Sequence, residues 1–271
     1  MIHCLWSHSA PPEFCTAWAV DLDTASSDDT LLRPADVLTE ICLDYACVLH
    51  RIKTYDMDAT DGVRAIDRLD GRMAQWAVDT PRSDKRWSYH NIQVGHSSHV
   101  WNRTIHAYFG MPVPGAWNSY RSARLMMLRT RENLRQLVDF SDADHIQQQS
   151  ELRDKRRQLV DEICACIPVQ LGHAKPAYSS GCVLISSYTS IWPLFFAGQC
   201  VLEWAHQESW SLRPRGIENL HAPGILYLTA NMQLQWIRSR FDFIARNVGL
   251  RWAIGVATLL REDSDKHSIL S

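Results

Sequence analysis

The sequence predicts an all-α protein, an irregular bundle of several helices, and three observations support this fold class. Apolar residues recur at three- and four-residue steps through most of the chain, which places them on one face of a helix. Long stretches in which apolar and polar residues alternate, as in a half-buried strand, are almost absent. The 271 residues are 46% hydrophobic, which is enough for one sizeable core.

The first part of the chain divides into an arm and a helix. Residues 1–33 are predicted to form an irregular N-terminal arm, because Pro11-Pro12 and a following stretch rich in Asp and Ser carry no helical periodicity. The first helix is predicted to begin at Arg33-Pro34, since proline lacks the N–H that a first helical turn leaves unpaired. Helical spacing of apolar residues continues to Ile52.

The next segments carry a second helix and an ambiguous region. A helix is predicted from Asp61 to the residue before Pro81, because proline breaks a helix interior. Residues 81–114 are rich in aromatic side chains but have no single periodicity. Two interpretations stay open for them, namely two strands or one further helix from His99 to Tyr108.

The rest of the chain has a strong helical signal. Asp144 is a candidate N-cap for one helix, and Pro168 is expected to end or kink it. A hinge is expected near residues 247–249, and residues 263–271 form a polar tail. All helices are assigned to one domain, residues 34–262, and those after the ambiguous region are predicted over residues 117–138, 144–167, 186–210, 225–246 and 248–261.

Charge and cysteine content restrict the class of protein. The formal net charge of −2 and the pI of about 6.6 argue against tight nucleic-acid binding by this chain, because phosphate neutralisation supplies most of that affinity. The eight cysteines form no C-x-x-C pair and no secretory signal is apparent, so reduced, mostly buried thiols are predicted. The uncharged run Ile185–Leu202 contains many hydroxyl groups and a proline, which favours a buried helix over a membrane span.

Two segments resemble metal sites only superficially. The stretch Asp56–Asp67 begins like a calcium loop, but the EF-hand requires glycine at its sixth position and glutamate at its twelfth, where Asp61 and Asp67 stand. A solvated turn and helix start are predicted instead. Four histidines lie close in sequence without an adjacent carboxylate that would complete a zinc site, and no metal ligand is assigned to them: His90, His96, His99 and His106.

Two further clusters have a structural interpretation. Cys164 and Cys166 lie two residues apart on a predicted helix and face different sides, so one is expected to be buried and the other partly exposed. The basic run Arg153–Arg157 is predicted to be a solvated helix face paired with neighbouring acids, although contact with a phosphate backbone or a role in nuclear import is the alternative. No catalytic residue, cofactor site or metal site is assigned in the sequence.

Five segments, in order, resemble the regulatory region of fungal zinc-cluster transcription factors. Together they cover about 150 residues, and residues 74–81 resemble a sixth, earlier motif. The five are AWNSYRSARLMM (116–127), VDEICACIPVQLG (160–172), IWPLFFAG (191–198), QWIRSRFDFI (235–244) and VGLRWA (248–253).

The resemblance implies an α-helical, non-enzymatic regulator of transcription that is located in the nucleus, and the control of a biosynthetic gene cluster is one option for its role. The family's DNA-binding module has six cysteines that bind two zinc ions. The cysteines here lack that spacing, so no zinc ligand is carried over. The resemblance therefore implies action through protein partners, by dimerisation or by contact with another transcription factor, with a small-molecule effector as a further option and no membrane association.

Alternatives from other classes stay open. A helical enzyme of a biosynthetic pathway would need a buried acid–base set, and the candidates are Glu162, Glu203 and His206. A remnant of a transcription factor is the third hypothesis. Within the resembling segment 116–127, Trp117, Tyr120 and Arg124 are predicted to be packing residues rather than partner contacts.

Overall fold

The computed structural model describes residues 9–12, 33–110, 113–138, 142–173, 183–212 and 221–269. Most of the predicted arm and the loop predicted after residue 212 lie outside these ranges. Within them the chain forms seven helices and one two-stranded sheet, so the all-α prediction is confirmed. The helices are α1 (Arg33–Lys53), α2 (Ala59–Ser83), α3 (Val113–Arg135), α4 (Asp142–Gln170), α5 (Val183–Leu212), α6 (His221–Phe243) and α7 (Trp252–Ile269), and the strands are β1 (Tyr89–Gln93) and β2 (Thr104–Tyr108).

The described chain forms two compact units where the sequence predicted one domain. The first contains the residues up to 88 together with 123–155, and the second contains 89–122 together with the residues from 156 onward. In the first unit, α1 packs against α2 through fully buried side chains such as Tyr45 and Met73. The Tyr45 hydroxyl lies 2.8 Å from the Thr130 hydroxyl, which satisfies both polar groups inside the core.

Helix α2 begins and ends with specific polar contacts. Asp58 is its N-cap and accepts a hydrogen bond from the Asp61 N–H at 2.7 Å, so the predicted solvated turn and helix start are confirmed. The predicted end before Pro81 is wrong, because the helix continues to Ser83. Pro81 stands in the last turn, where the Asp84 N–H and the Ser83 hydroxyl both donate to the Thr80 carbonyl.

The ambiguous region forms an antiparallel hairpin in the second unit. Strands β1 and β2 pair from Tyr89 opposite Tyr108 to Gln93 opposite Thr104, so the two-strand interpretation is confirmed and the helix from His99 to Tyr108 is wrong. Aromatic and β-branched residues stand opposite one another along the pair, and such cross-strand contacts stabilise a hairpin. The loop 94–103 that joins the strands carries residues of the candidate site.

Helix α4 differs from its prediction at both ends. It begins at Asp142, so Asp144 lies inside the first turn rather than at the cap. Pro168 lies inside the helix, which ends two residues later at Gln170. Cys164 and Cys166 are both fully buried, so the predicted exposure of one of them is wrong. The Cys164 thiol lies 3.8 Å from Gln233 of α6, and the Cys166 thiol lies 3.8 Å from the Pro114 carbonyl of α3, which shows that α4 is covered on two sides.

The second unit is built around α5. This helix buries Ile191, Leu194 and Phe195 against α6 and α7, and its buried Ser190 hydroxyl donates to the Ser186 carbonyl at 2.8 Å. Most of the run Ile185–Leu202 is buried, as predicted, although the buried Ser187 hydroxyl has no hydrogen-bond partner among the described residues. No helix of the described residues is long and apolar enough to cross a membrane.

A hinge separates the last two helices, as predicted. After α6 the chain makes a π-helical turn over Ile244–Val248, and Gly249 then adopts a left-handed conformation with φ of 89°. Glycine is favoured there because it has no side chain to clash in that conformation. Residues 263–269, predicted as a polar tail, continue α7.

Candidate functional site: a cavity lined by tryptophan

Two of the residues proposed for an enzyme each pair with a different buried arginine. Arg121 Nε donates to Glu162 at 3.1 Å, and Arg156 Nη2 donates to Glu203 at 2.6 Å. Both arginines are buried, so each acid neutralises a charge that is costly to leave unpaired. The third candidate, His206, is half-buried. The described residues contain no group of three His, Cys, Asp or Glu side chains able to hold a metal ion.

The predicted solvated character of the basic run is wrong for its last residues. Arg156 is buried and bound to Glu203. The Arg157 guanidinium lies 5.8 Å from the centre of the Trp204 ring, and it is only half-exposed. Arg153 is exposed, as predicted. The difference arises because Arg156 and Arg157 face α5, which the spacing of charges along α4 does not reveal.

A buried polar network surrounds Arg121, which has no exposed surface. Its Nη1 donates to the Tyr108 hydroxyl at 3.0 Å and to the side-chain Oδ1 of Asn118 at 3.2 Å. Its Nη2 donates to His106 Nδ1 at 3.3 Å. The guanidinium also lies over two rings, at 5.1 Å from the centre of Tyr89 and 5.5 Å from that of Trp117. The network joins the hairpin to α3 and α4.

Three titratable groups of this network, His106, Tyr108 and Cys166, are held uncharged. Arginine only donates, so His106 Nδ1 must be the unprotonated ring nitrogen. Burial, followed by the positive charge of Arg121, lowers the pKa of His106 to about 3. Burial raises the pKa of Tyr108 well above its ordinary value and raises the pKa of the Cys166 thiol as well. Such groups do not exchange protons near neutral pH, so the network is structural rather than catalytic.

A separate cavity in the second unit has the composition of a ligand site. Its volume is about 200 Å³, and it lies among the hairpin loop, α4, α5 and α6. Two indole rings, a carboxylate, a guanidinium and an amide face it, and apolar side chains of α6 complete the wall. The lining residues are Trp101, Asn102, Arg157, Asp161, Trp204, Leu226, Thr229, Ala230 and Gln233.

Asp161 is the central polar group of this cavity. Its Oδ1 accepts hydrogen bonds from Trp101 Nε1 at 3.2 Å and from Gln233 Nε2 at 2.9 Å. Although the residue keeps exposed surface, the burial of its carboxyl group raises its pKa above the ordinary value, and these two donors lower it only in part. One oxygen is thus fixed by the protein, which leaves the carboxyl group able to accept a hydrogen bond from a ligand through its Oδ2.

A donor among the lining residues is the Arg157 guanidinium, which lies 5.8 Å from the centre of the Trp204 ring. Trp204 is buried and contributes an apolar ring to the wall. Since pockets for drug-sized molecules measure about 300–1,000 Å³, this cavity fits a smaller ligand that combines a flat apolar body with a donor and an acceptor.

Sequence patterns did not identify this cavity. Trp101 and Asp161 are 60 positions apart, and Asp161 and Gln233 are 72 apart. Asp161 entered the prediction only as an ion-pair partner of the basic run, and Trp101 only as aromatic content. The lining residues come from four separate segments, so no local sequence spacing links them. One signal could have been found: Asp161 is a charged residue on an otherwise buried stretch of α4.

The first unit contains a larger and more open cleft of about 760 Å³ between α1 and α2. Its polar side chains already bind one another or the backbone. Arg86 binds Asp84, Gln75 donates to Asp79 at 2.7 Å, and Trp76 Nε1 donates to the Pro34 carbonyl at 2.7 Å. A ligand there would have to compete with these pairs, so the tryptophan-lined cavity is the better candidate.

Comparison with known proteins gave no match: no protein-family model, no curated protein and no solved structure matches this chain. The geometry of the described residues and the motifs of the sequence therefore carry the functional argument.

Proposed function

We propose that the chain is the regulatory region of a nuclear transcription regulator of the fungal zinc-cluster type. It acts without enzymatic chemistry, through protein contacts, and responds to a small molecule bound in the tryptophan-lined cavity. One observation carries the proposal: two of the resembling segments are complementary in space. Arg121 of segment 116–127 is bound by Glu162 of segment 160–172, with both residues inside the second unit. Two of the segments that resemble the family therefore pack against each other in the core of the second unit.

The side chains of these segments serve packing in the way the resemblance requires. Trp117 and Tyr120 are buried, and their rings meet edge to face with centres 5.4 Å apart. Arg124 is buried and paired with Asp70. Because Arg121, Glu162 and Arg124 are committed to internal pairs, they are not available for catalysis. This supports a regulatory role over the enzyme alternative.

Exposed apolar side chains on the second unit support the part of the proposal that concerns protein contacts. Ile185 and Tyr188 of α5 are 61% and 54% exposed, and Trp252 of α7 is 40% exposed. The rings of Tyr188 and Trp252 meet with centres 5.8 Å apart, which makes these residues one continuous apolar surface. Such surfaces are typical of sites that bind another protein, either a second copy of this chain or a different transcription factor.

A reporter assay tests the proposal. The chain is fused to an unrelated DNA-binding domain, and transcription is measured from a promoter that carries the cognate sites. We expect the fusion to change transcription, and we expect Ile185→Asp combined with Tyr188→Asp to abolish the change while leaving the circular dichroism spectrum intact. The matched control is Tyr55→Asp, which alters a 95% exposed residue of the first unit. A folded fusion that leaves transcription unchanged contradicts the proposal.

A further inference from the structure

One buried arginine differs from the others in its surroundings. Within the described ranges four arginines are buried, and three of them have a carboxylate partner: Arg121 with Glu162, Arg124 with Asp70 and Arg156 with Glu203. The fourth, Arg240 of α6, is 6% exposed, and no carboxylate of the described residues pairs with it. A buried charge without a counter-ion is costly, so this position calls for a negative partner.

The contacts of Arg240 leave part of its guanidinium group unused. Nε and Nη2 donate to the Ser239 hydroxyl at 3.3 and 3.1 Å, and Nη1 donates to His99 Nδ1 at 3.2 Å. Three of the five N–H groups are thereby engaged with neutral acceptors, and two remain. The planar group also lies 5.2 Å from the centre of the Trp236 ring, which fixes its orientation.

Further donor groups surround this arginine. The rings of His99 and His173 stack with centres 4.0 Å apart, and His173 also meets Phe243 at 4.4 Å. His173 Nε2 and Trp236 Nε1 are both buried, and neither has a hydrogen-bond partner among the described residues. The cluster therefore combines one uncompensated positive charge with two buried ring nitrogens that lack partners. Such a cluster suits an anion rather than a cation.

We propose that Arg240, His99 and His173 form a binding site for a small oxyanion, the carboxylate or phosphate group of a soluble metabolite. A guanidinium group matches both anions, because its paired N–H groups fit two oxygens at once. The bound anion neutralises Arg240 and accepts hydrogen bonds from the two N–H groups that its other contacts leave unused. This site is separate from the tryptophan-lined cavity. It does not depend on the function proposed above, because the experiments below use the isolated chain.

Thermal unfolding of the purified chain tests the site. A ligand that binds only the folded state raises the melting temperature in a saturable manner. Acetate and phosphate are titrated separately near neutral pH, at an ionic strength held constant with chloride. We expect a saturable rise with a midpoint on the order of 1 mM for at least one of the two anions. The anion with the lower midpoint identifies the ligand group as a carboxylate or a phosphate. No saturable rise with either anion overturns the proposal.

Arg240→Met is the decisive variant. In chloride alone it is expected to melt at the same temperature as the wild type or higher, since it removes a buried charge that has no partner. The anion-dependent rise should disappear. The matched control, Arg246→Met, alters an exposed arginine six residues later and should keep the rise. An unchanged midpoint in Arg240→Met would show that the anion acts elsewhere.

A second variant covers the case in which Arg240→Met does not fold. Arg240→Lys keeps the positive charge and loses the paired N–H geometry, so the phosphate or acetate midpoint is expected to rise at least tenfold. Equilibrium dialysis of the wild-type chain against labelled phosphate or acetate should give one bound anion per chain. A lysine variant with the wild-type midpoint, or several equivalent anions per chain, would contradict the proposal.

Discussion

At the scale of single residues, the placement of charge organises the interior of this protein. The first unit contains the clearest case, where Arg124 Nε and Nη2 both donate to Asp70, at 2.6 and 3.1 Å. Lys155 Nζ adds a third contact at 2.8 Å. Burial raises the pKa of Asp70, but the hydrogen bonds and charges of Arg124 and Lys155 outweigh that effect and hold the pKa below its ordinary value.

Asp70→Asn is expected to destabilise the protein strongly. The substitution breaks the buried Arg124–Asp70 pair, and the loss of one partner of a buried pair costs about 3–5 kcal/mol. The measurement is urea unfolding followed by circular dichroism. Asp61→Asn is the matched control, because Asp61 and Arg64 are both more than 60% exposed and such pairs contribute less than about 1 kcal/mol. Similar losses in the two variants would contradict this account.

The same pair predicts a pH dependence with a defined sign. Because the folded protein holds the pKa of Asp70 below its ordinary value of 3.8, the stabilisation is fully present above that value. It is lost as the pH falls through the lowered pKa of the folded state. The wild type should therefore lose stability in acid more steeply than Asp70→Asn. Equal slopes below about pH 4 would show that the carboxylate is not stabilised by folding.

His106 predicts a second pH effect at higher pH. Its pKa is lowered from 6.5 to about 3 in the folded protein, so only the unfolded state takes up the proton between these values, and stability falls as the pH drops. His106→Asn keeps an acceptor for Arg121 and removes the titration. Between pH 6.5 and pH 5, the wild type should lose about 1.5 kcal/mol more than the variant.

Urea unfolding at each pH measures this difference. His90→Asn, on the exposed part of β1, controls for the general loss of an imidazole ring. If the two variants and the wild type lose stability in parallel, the His106 ring is not held neutral by folding.

At the scale of elements, apolar periodicity predicted where helices occur better than where they end. Helix α1 and the hinge at Gly249 match their predictions because a local residue determines each. Pro34 suits the first turn of α1, and glycine suits the left-handed conformation at position 249. The end predicted before Pro81 does not match, because this proline stands in the last turn of α2, where only one hydrogen bond is lost. Pro168, which was expected to end or kink α4, lies two residues before the end of that helix. The hairpin 89–108 was ambiguous, since its aromatic residues suit a strand or a helix until the partner strand is known.

Close packing between elements gives a fourth prediction, at Gly198 of α5. A Cβ atom there would lie 2.8 and 3.2 Å from the two methyl carbons of Leu260 and 3.5 Å from Ile237. Leu260 has no exposed surface and so has little room to move. In Gly198→Ala, overpacking should lower the free energy of unfolding by about 1–3 kcal/mol. The better helix propensity of alanine offsets about 1 kcal/mol of that loss.

Gly255→Ala on α7 is the matched control for this prediction. No atom lies within 4 Å of a Cβ built there, so the free energy of unfolding of this variant should rise by about 0.5–1 kcal/mol. Thermal unfolding monitored by circular dichroism compares the two. A stabilising Gly198→Ala would mean that α5 and α7 are less closely packed than described.

At the scale of the whole molecule, composition predicted the fold class but not the cavity. Hydrophobic content and periodicity are properties of the sequence alone, and they are sufficient for an all-α protein. Trp101, Asp161 and Gln233 meet only because the hairpin loop, α4 and α6 converge. That convergence depends on packing between segments far apart in sequence. The uncompensated charge of Arg240 was equally invisible, because it is defined by partners that are absent among its described neighbours.

The net charge of the whole chain gives the last prediction, which concerns DNA. With 28 basic and 30 acidic residues, the formal charge is −2, and three of the buried arginines are neutralised internally. Because the chain has no net positive charge to displace counterions from phosphates, it should alone bind duplex DNA no more tightly than about 1 µM at physiological salt. Fluorescence anisotropy with a labelled duplex measures this. A tighter complex that weakens steeply with salt would contradict the prediction and would point to exposed cations such as Arg153 as phosphate contacts. Weak binding agrees with a regulator that reaches its promoters through a partner.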